Sequence, residues 1–141
     1  MKLEIAQTIL SAALAAARMS NFKPLTIAVL DARGALKAFA AADGTSLKRG
    51  EIAIAKAAGA LAMGLGSRTL GTMAAQRPQF VAAVTHAVGG MLIPVAGGVL
   101  VRDVAGELIG AVGVSGDTSD NDETAAVAGI EAAGLKADPG A

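Results

Sequence analysis

The chain contains no cysteine, no tryptophan and no tyrosine. Without cysteine there are no disulfides, no thiolate chemistry and no cysteine metal site. That fits a reducing compartment, and a cytoplasmic protein is expected. Aromatic residues are limited to Phe22, Phe39 and Phe80, so the rings on which proteins stack nucleic-acid bases are almost absent. The formal net charge is zero and no block of Lys or Arg occurs, so nothing marks a nucleic-acid partner. No uncharged apolar run is long enough to cross a bilayer, and no membrane association is expected. Residues 10–17 (LSAALAAA) loosely imitate a signal peptide. Glu4 interrupts the run, the basic flank is only Lys2, and the segment is amphipathic, which identifies a mature helix.

What remains is alanine, glycine and aliphatic residues. The 141 residues are 53% hydrophobic, enough for the core of one domain. Much of that fraction is alanine, so the large core residues must be Leu, Ile, Val and Met. The mean hydropathy of +0.55 is high. The surplus is read as surface buried between copies of the chain, with Ala-rich helix faces at the interface.

Hydrophobic spacing gives the element order. Leu3, Ile5, Ala6, Ile9, Leu10, Ala13, Leu14 and Ala17 recur at helical intervals over 3–20. Residues 25–30 and 35–41 read as strands joined by Asp31-Ala32-Arg33-Gly34, a hairpin. Helices are expected over 47–63, 68–75 and 78–87, the first capped by Thr45 or Ser46 and the last opening on Pro78. Three further strands are expected over 91–95, 99–103 and 107–114, then a helix over 120–133 capped by Ser119. Residues 135–141 read as a loose tail. The fold class is therefore α/β (α+β), a single domain with a five-stranded antiparallel sheet packed with helices.

Several motifs point to a family. Gly97-Gly98-Val99-Leu100-Val101, Gly106, Gly110-Ala111-Val112-Gly113-Val114-Ser115-Gly116, Asp122-Glu123 and Ala128-Gly129 run through the last third. Val29-Leu30-Asp31 with Gly34, Asp43-Gly44 and Lys56-Ala57 precede them. Together they resemble the GlcG/HbpS-like (DUF336) family across nearly the whole chain. The resemblance implies a profilin-like or PAS-like fold and homo-oligomers. For some members it also implies bound haem, and a related domain is fused to corrinoid adenosyltransferases. Other members accompany glycolate or aromatic catabolism. Fold follows from such a resemblance more directly than chemistry does.

The candidate ligand-binding residues are Arg68, His86, Gly113, Ser115, Gly116 and Asp117. Gly110, Gly113 and Gly116 lie along and after a strand, where missing side chains admit another group. Ser115, Gly116 and Asp117 lead into a helix N-terminus that could hold an anion. Close packing and capping by the acids explain the same residues. Asp117, Asp120, Asp122 and Glu123 lack the spacing of a calcium loop, and no metal site is expected. Gly64, Gly66 and Gly71 do not form a dinucleotide fingerprint, and no P-loop sequence occurs. His86 is the only imidazole. It could ligate haem iron or move a proton, or satisfy carbonyls at a helix end. Arg68, after the Gly64–Gly66 break, is the better of two arginines for a ligand carboxylate, Arg102 being the other. Met63, Met73 and Met91 read as core filling. The function expected is small-ligand binding by an oligomer, haem or a tetrapyrrole being the implied ligand. The alternative is a small enzyme or auxiliary factor in organic-acid or aromatic catabolism. It would hold substrate with Arg68 and move protons with His86 or Asp117. No nucleophile, base and orienting group stand together in the sequence, so binding leads.

Overall fold

The computed structural model describes residues 1–140. Ten elements follow one another. Helix α1 (Leu3–Met19) leads into the hairpin β1 (Thr26–Asp31) and β2 (Leu36–Ala41). Three helices come next: α2 (Arg49–Met63), α3 (Ser67–Gln76) and α4 (Pro78–Ala87). The chain then forms β3 (Gly98–Arg102), β4 (Leu108–Ser115), α5 (Ser119–Ala132) and β5 (Lys136–Asp138). The sheet has five strands in the order β2-β1-β4-β3-β5, every neighbour antiparallel.

Two parts of the expected strand set are corrected. Residues 91–95 are not a strand. Pro94 lacks the N–H a ladder needs, and this stretch closes tight local turns, Leu92 N bonding Gly90 O at 3.0 Å and Val95 N bonding Ile93 O at 2.9 Å. Leu92 is buried instead against the α3–α4 pair, with Leu70 and Val81. The fifth strand is β5, inside the segment read as a loose tail. It pairs with β3, and Arg102 Nε donates to Asp138 Oδ2 at 3.0 Å. Residue 141 lies outside the described residues. Two caps also shift. Thr118, not Ser119, caps α5, its hydroxyl accepting from Asn121 N. Lys48 occupies the cap position of α2, with no side-chain capping bond.

Alternation along the strands sends side chains to two faces. Ile27, Val29, Val99, Val101, Val112 and Val114 meet α1 and α5 on one face. There α1 supplies Ala6, Ile9, Ala13 and Ala17, one stripe at helical spacing. Gly129 of α5 lets the two helices approach, because a Cβ there would press on Ile9 O and Ala13. Leu30, Leu100 and Ala111 meet Ala57 and Ala60 of α2 on the other face. Helix α2 lies over β1, β4 and β3, which leaves Phe39 on the edge strand β2 half uncovered. Among the described residues no helix is long and apolar enough to cross a membrane.

Candidate functional site

Glycine sets how deeply α2 sits. Gly98 and Gly113 are cross-strand partners. A Cβ on Gly113 would overlap Ala53 O, and one on Gly98 would overlap Lys56 O. The α2 backbone therefore rests directly on the sheet, and Ser67 Oγ, fully buried, accepts from Gly98 N at 2.6 Å. This approach carries Lys56 inside, where only 2% of it is exposed. Its ammonium donates to Val114 O at 2.9 Å and to Asp122 Oδ2 at 3.0 Å. Asp122 is equally buried, and its second oxygen accepts from Asp117 N at 3.0 Å. Burial pushes the lysine down from its ordinary pKa and the carboxyl up, while their mutual attraction opposes both shifts.

The turn from β4 into α5 wraps this pair. Ser115 is buried at the end of β4. Gly116 follows at φ +154°, where a Cβ would strike Pro24 O. Asp117 accepts from Lys23 N at 2.7 Å, from Thr118 N at 2.6 Å and from Asn121 Nδ2 at 3.1 Å. Those bonds, the one from Lys23 first, hold its carboxyl below the usual range. Gly113 and Gly116 thus face close backbone rather than open space, and Asp117 ties two chain segments together.

Arg68 reaches the same helix from outside. Its Nε lies 3.0 Å from Glu123 Oε2, and its Nη2 meets Asp120 Oδ1. The two acids hold its pKa above the ordinary arginine value. An open recess of about 540 Å³ includes Arg68, Thr72, Gln76, Pro94, Ser119 and Asp120. The arginine has two acid partners already, so it is a cross-brace between α3 and α5. His86 is separate. It is exposed near the end of α4, over a shallow depression with Ala82, Thr85, Gly89 and Gly90. The six candidates therefore divide: Ser115, Gly116 and Asp117 are contiguous, Arg68 joins them through α5, Gly113 is packing, and His86 stands apart.

A cleft that no candidate flagged opens beside α2. It holds about 380 Å³ and lies between β2, the loop before α2 and the start of α2. Phe39, Ala41, Leu47 and Ile54 give it apolar walls, with Thr26, Thr45, Ser46, Gly50 and Glu51 completing them. Gly50 permits this shape, since a Cβ there would stand 3.1 Å from the Phe39 ring. Thr26 is 1% exposed, and its hydroxyl is the one buried side-chain polar atom without a hydrogen-bond partner among the described residues. Next to it, Arg49 Nη1 donates to Ser115 Oγ at 3.1 Å and Arg49 Nε to Ser46 Oγ at 3.3 Å. Sequence reasoning missed Thr26, Arg49 and Lys56. One signal existed: Lys56 sits among Ala53, Ala57 and Ala60, a charge inside an alanine stripe.

A five-stranded antiparallel sheet with a glycine-seated helix and a buried Lys–Asp pair defines a single-domain α/β protein. A family model described as haem degrading protein HbpS-like matches residues 1–131, and the chain belongs to that family. No curated protein matches it in sequence. Among solved structures, a PduOC:heme complex is similar at TM-score 0.85 and 23% identity, covering 96% of each chain. Klebsiella pneumoniae protein ORFY is similar at TM-score 0.85 and 24% identity, covering 95% of this chain and 90% of that one. HbpS is similar at TM-score 0.79 and 27% identity, covering 93% and 88%. Haem is named both in the family's description and in the PduOC complex.

Proposed function

We propose that this chain binds a small, partly apolar ligand in the cleft between β2 and α2, and that a tetrapyrrole is the ligand class its family favours. The observation that carries this reading is the buried Thr26 hydroxyl, unpartnered beside apolar walls. A buried hydroxyl without a partner costs stability, and a ligand oxygen would supply the missing bond. Phe39 and Ile54 suit the flat face of a ring, and Arg49 suits a propionate. The iron of haem finds no such fit. No His or Met lines the cleft, and the one imidazole lies over a different depression. Recognition here rests on the organic ring and its acid groups. Self-association is part of the same proposal: Met19, Leu47 and Val104 remain largely exposed, and a dimer or larger species is expected in sedimentation at micromolar concentration, where a clean monomer would oppose it.

Titration with haemin and with metal-free protoporphyrin tests the ligand. Both should bind with similar affinity, because iron has no partner in the cleft. Phe39→Ala should weaken both about tenfold through lost ring contact. Binding of haemin alone, abolished by His86→Ala and indifferent to Phe39→Ala, would move the function to α4.

A further inference from the structure

We infer that the inner end of the cleft is a carboxylate site, in which Arg49 and the Thr26 hydroxyl receive a single carboxylate of a ligand whose apolar body lies along Phe39 and Ile54. The inference rests on the cleft reading above and adds the charge and size of what enters. Four other arginines are engaged. Arg33 pairs with Asp31 at 2.8 Å, Arg68 with Glu123 at 3.0 Å, and Arg102 with Asp138 at 3.0 Å. Arg77 stacks over Phe80 at 4.2 Å. Arg49 is half-buried, yet among the described residues its guanidinium donates hydrogen bonds only to the hydroxyls of Ser46 and Ser115. A partly desolvated guanidinium normally takes a carboxylate, which its planar fork fits with two bonds.

Charge counting around it agrees. Arg49 lies within electrostatic reach of Lys56 and Asp122. Two cations there face one anion. The other nearby acids are committed elsewhere. Asp117 accepts from Lys23, Thr118 and Asn121, and Glu51 on the cleft wall pairs with Lys48 at 3.7 Å. One negative charge would balance the group. A doubly charged phosphate would overshoot that balance by one charge.

Position completes the case. Thr26 and Ser115 are directly opposed across β1 and β4, so their side chains share a face about 5 Å apart. Arg49 is not itself on the cleft wall, but it donates to Ser115, the strand partner of Thr26, and to Ser46 of the wall. Helix α2 starts at Arg49, and Gly50 and Glu51 of its first turn line the cleft. The positive end of that helix thus points where the acid group would lie. The volume of about 380 Å³ is at the small end of ligand sites, which span about 300–1,000 Å³. It accommodates one or two rings in full, or the acid-bearing edge of a larger ring system.

Naphthoate and its neutral isostere naphthamide, titrated calorimetrically against the intact chain, test this. Naphthoate should bind about tenfold more tightly or better, the scale of one charge-assisted pair. Arg49→Met should erase the preference, naphthoate losing far more than naphthamide, Arg49→Lys should keep part of it, and Thr26→Val should weaken both probes, since either offers an oxygen to the hydroxyl. Phe39→Ala should weaken both probes alike. Equal binding of the two probes, both still weakened by Phe39→Ala, would overturn the carboxylate site and leave the cleft standing. A preference that survives Arg49→Met and disappears in Arg68→Met would overturn it in favour of the α3–α5 recess. Failure of both probes to bind overturns it as well, and extends to the cleft if protoporphyrin binding also ignores Phe39→Ala.

Discussion

The two faces of the sheet are built to opposite specifications. Under α1 and α5 the contacts are mostly aliphatic: Ile9, Ile27, Val29, Val99, Val112 and Ile130 interlock, with Asp31 at the end of β1 the buried charge in the same alternation. Under α2 the sheet presents glycine, and the buried layer contains Lys56, Asp122, Ser67, Ser115 and Thr26. The first face has nothing to hold but itself. The second is held by bonds that must all be satisfied, and it is there that one hydroxyl lacks a partner. Hydrophobic burial is non-directional and tolerant of exchange, whereas a buried polar layer specifies geometry. Stability and recognition are thereby assigned to different sides of one sheet.

Substitutions on the α2 face break that comparison most sharply. Gly113→Val has no room, because its first carbon would enter Ala53 O. It is expected to remove folded protein altogether, a loss beyond about 4 kcal/mol, seen as absence of a cooperative melt. Ile9→Val on the opposite face should cost only about 1 kcal/mol. Lys56→Met comes next. It strands Asp122 in the interior and should cost about 3–5 kcal/mol in urea denaturation. Adding Asp122→Leu should return much of that loss. A double variant no better than the single one would mean that the pair also fixes the position of α2.

These residues also show what could be read from the chain beforehand. The stripe Ala6, Ile9, Ala13, Ala17 was legible because every member obeys one period. The hairpin was legible from Asp31 to Gly34, and the turn after Ser115 from its glycine, though its cap was not, Thr118 standing where Ser119 was expected. Residues 91–95 carried the apolar composition of a strand, but Pro94 and the docking of Leu92 against α3 and α4 decided otherwise. Strand β5 carried no pattern at all, since three residues, Lys136 to Asp138, are too few to show a period. Arg49 was illegible, and Lys56 legible only as a charge inside an alanine stripe, for a different reason. A cation on a helix is normally solvated, and only the glycine-seated approach of α2, a tertiary fact, turns these two inward. Thr26 looked like the first residue of an apolar strand, and its lost partner is visible only in three dimensions.

Gentler changes sharpen the contrast. Thr26→Val should raise the stability of the ligand-free protein by about 1 kcal/mol, because a buried hydroxyl without a partner is removed. The melting temperature checks this, and a decrease would show that the hydroxyl is bonded in solution. The smallest effect is expected in acid. Hydrogen bonding with Arg33 lowers the Asp31 pKa from 3.8 to about 2. Bonds from Lys23 and Thr118 lower that of Asp117. Folded pKa values below the unfolded ones mean that the native state binds fewer protons in this window. The stability they add is complete above the ordinary carboxylate value and is lost as pH falls through the folded values. Asp117→Asn should flatten the acid limb of stability against pH, whereas Ile9→Val should displace the whole curve evenly. Urea melts at stepped pH between neutrality and the acid limb distinguish the two.

Strand β5 has a kinetic consequence. It seals the free margin of β3, and the residues just after it reach α3, Pro139 O accepting from Arg68 N at 3.3 Å. During synthesis these residues leave the ribosome after everything they complete. Until then β3 offers a bare row of backbone donors and acceptors, the template on which strands of other chains assemble. The nascent protein therefore carries an open template between the emergence of β3 and that of β5.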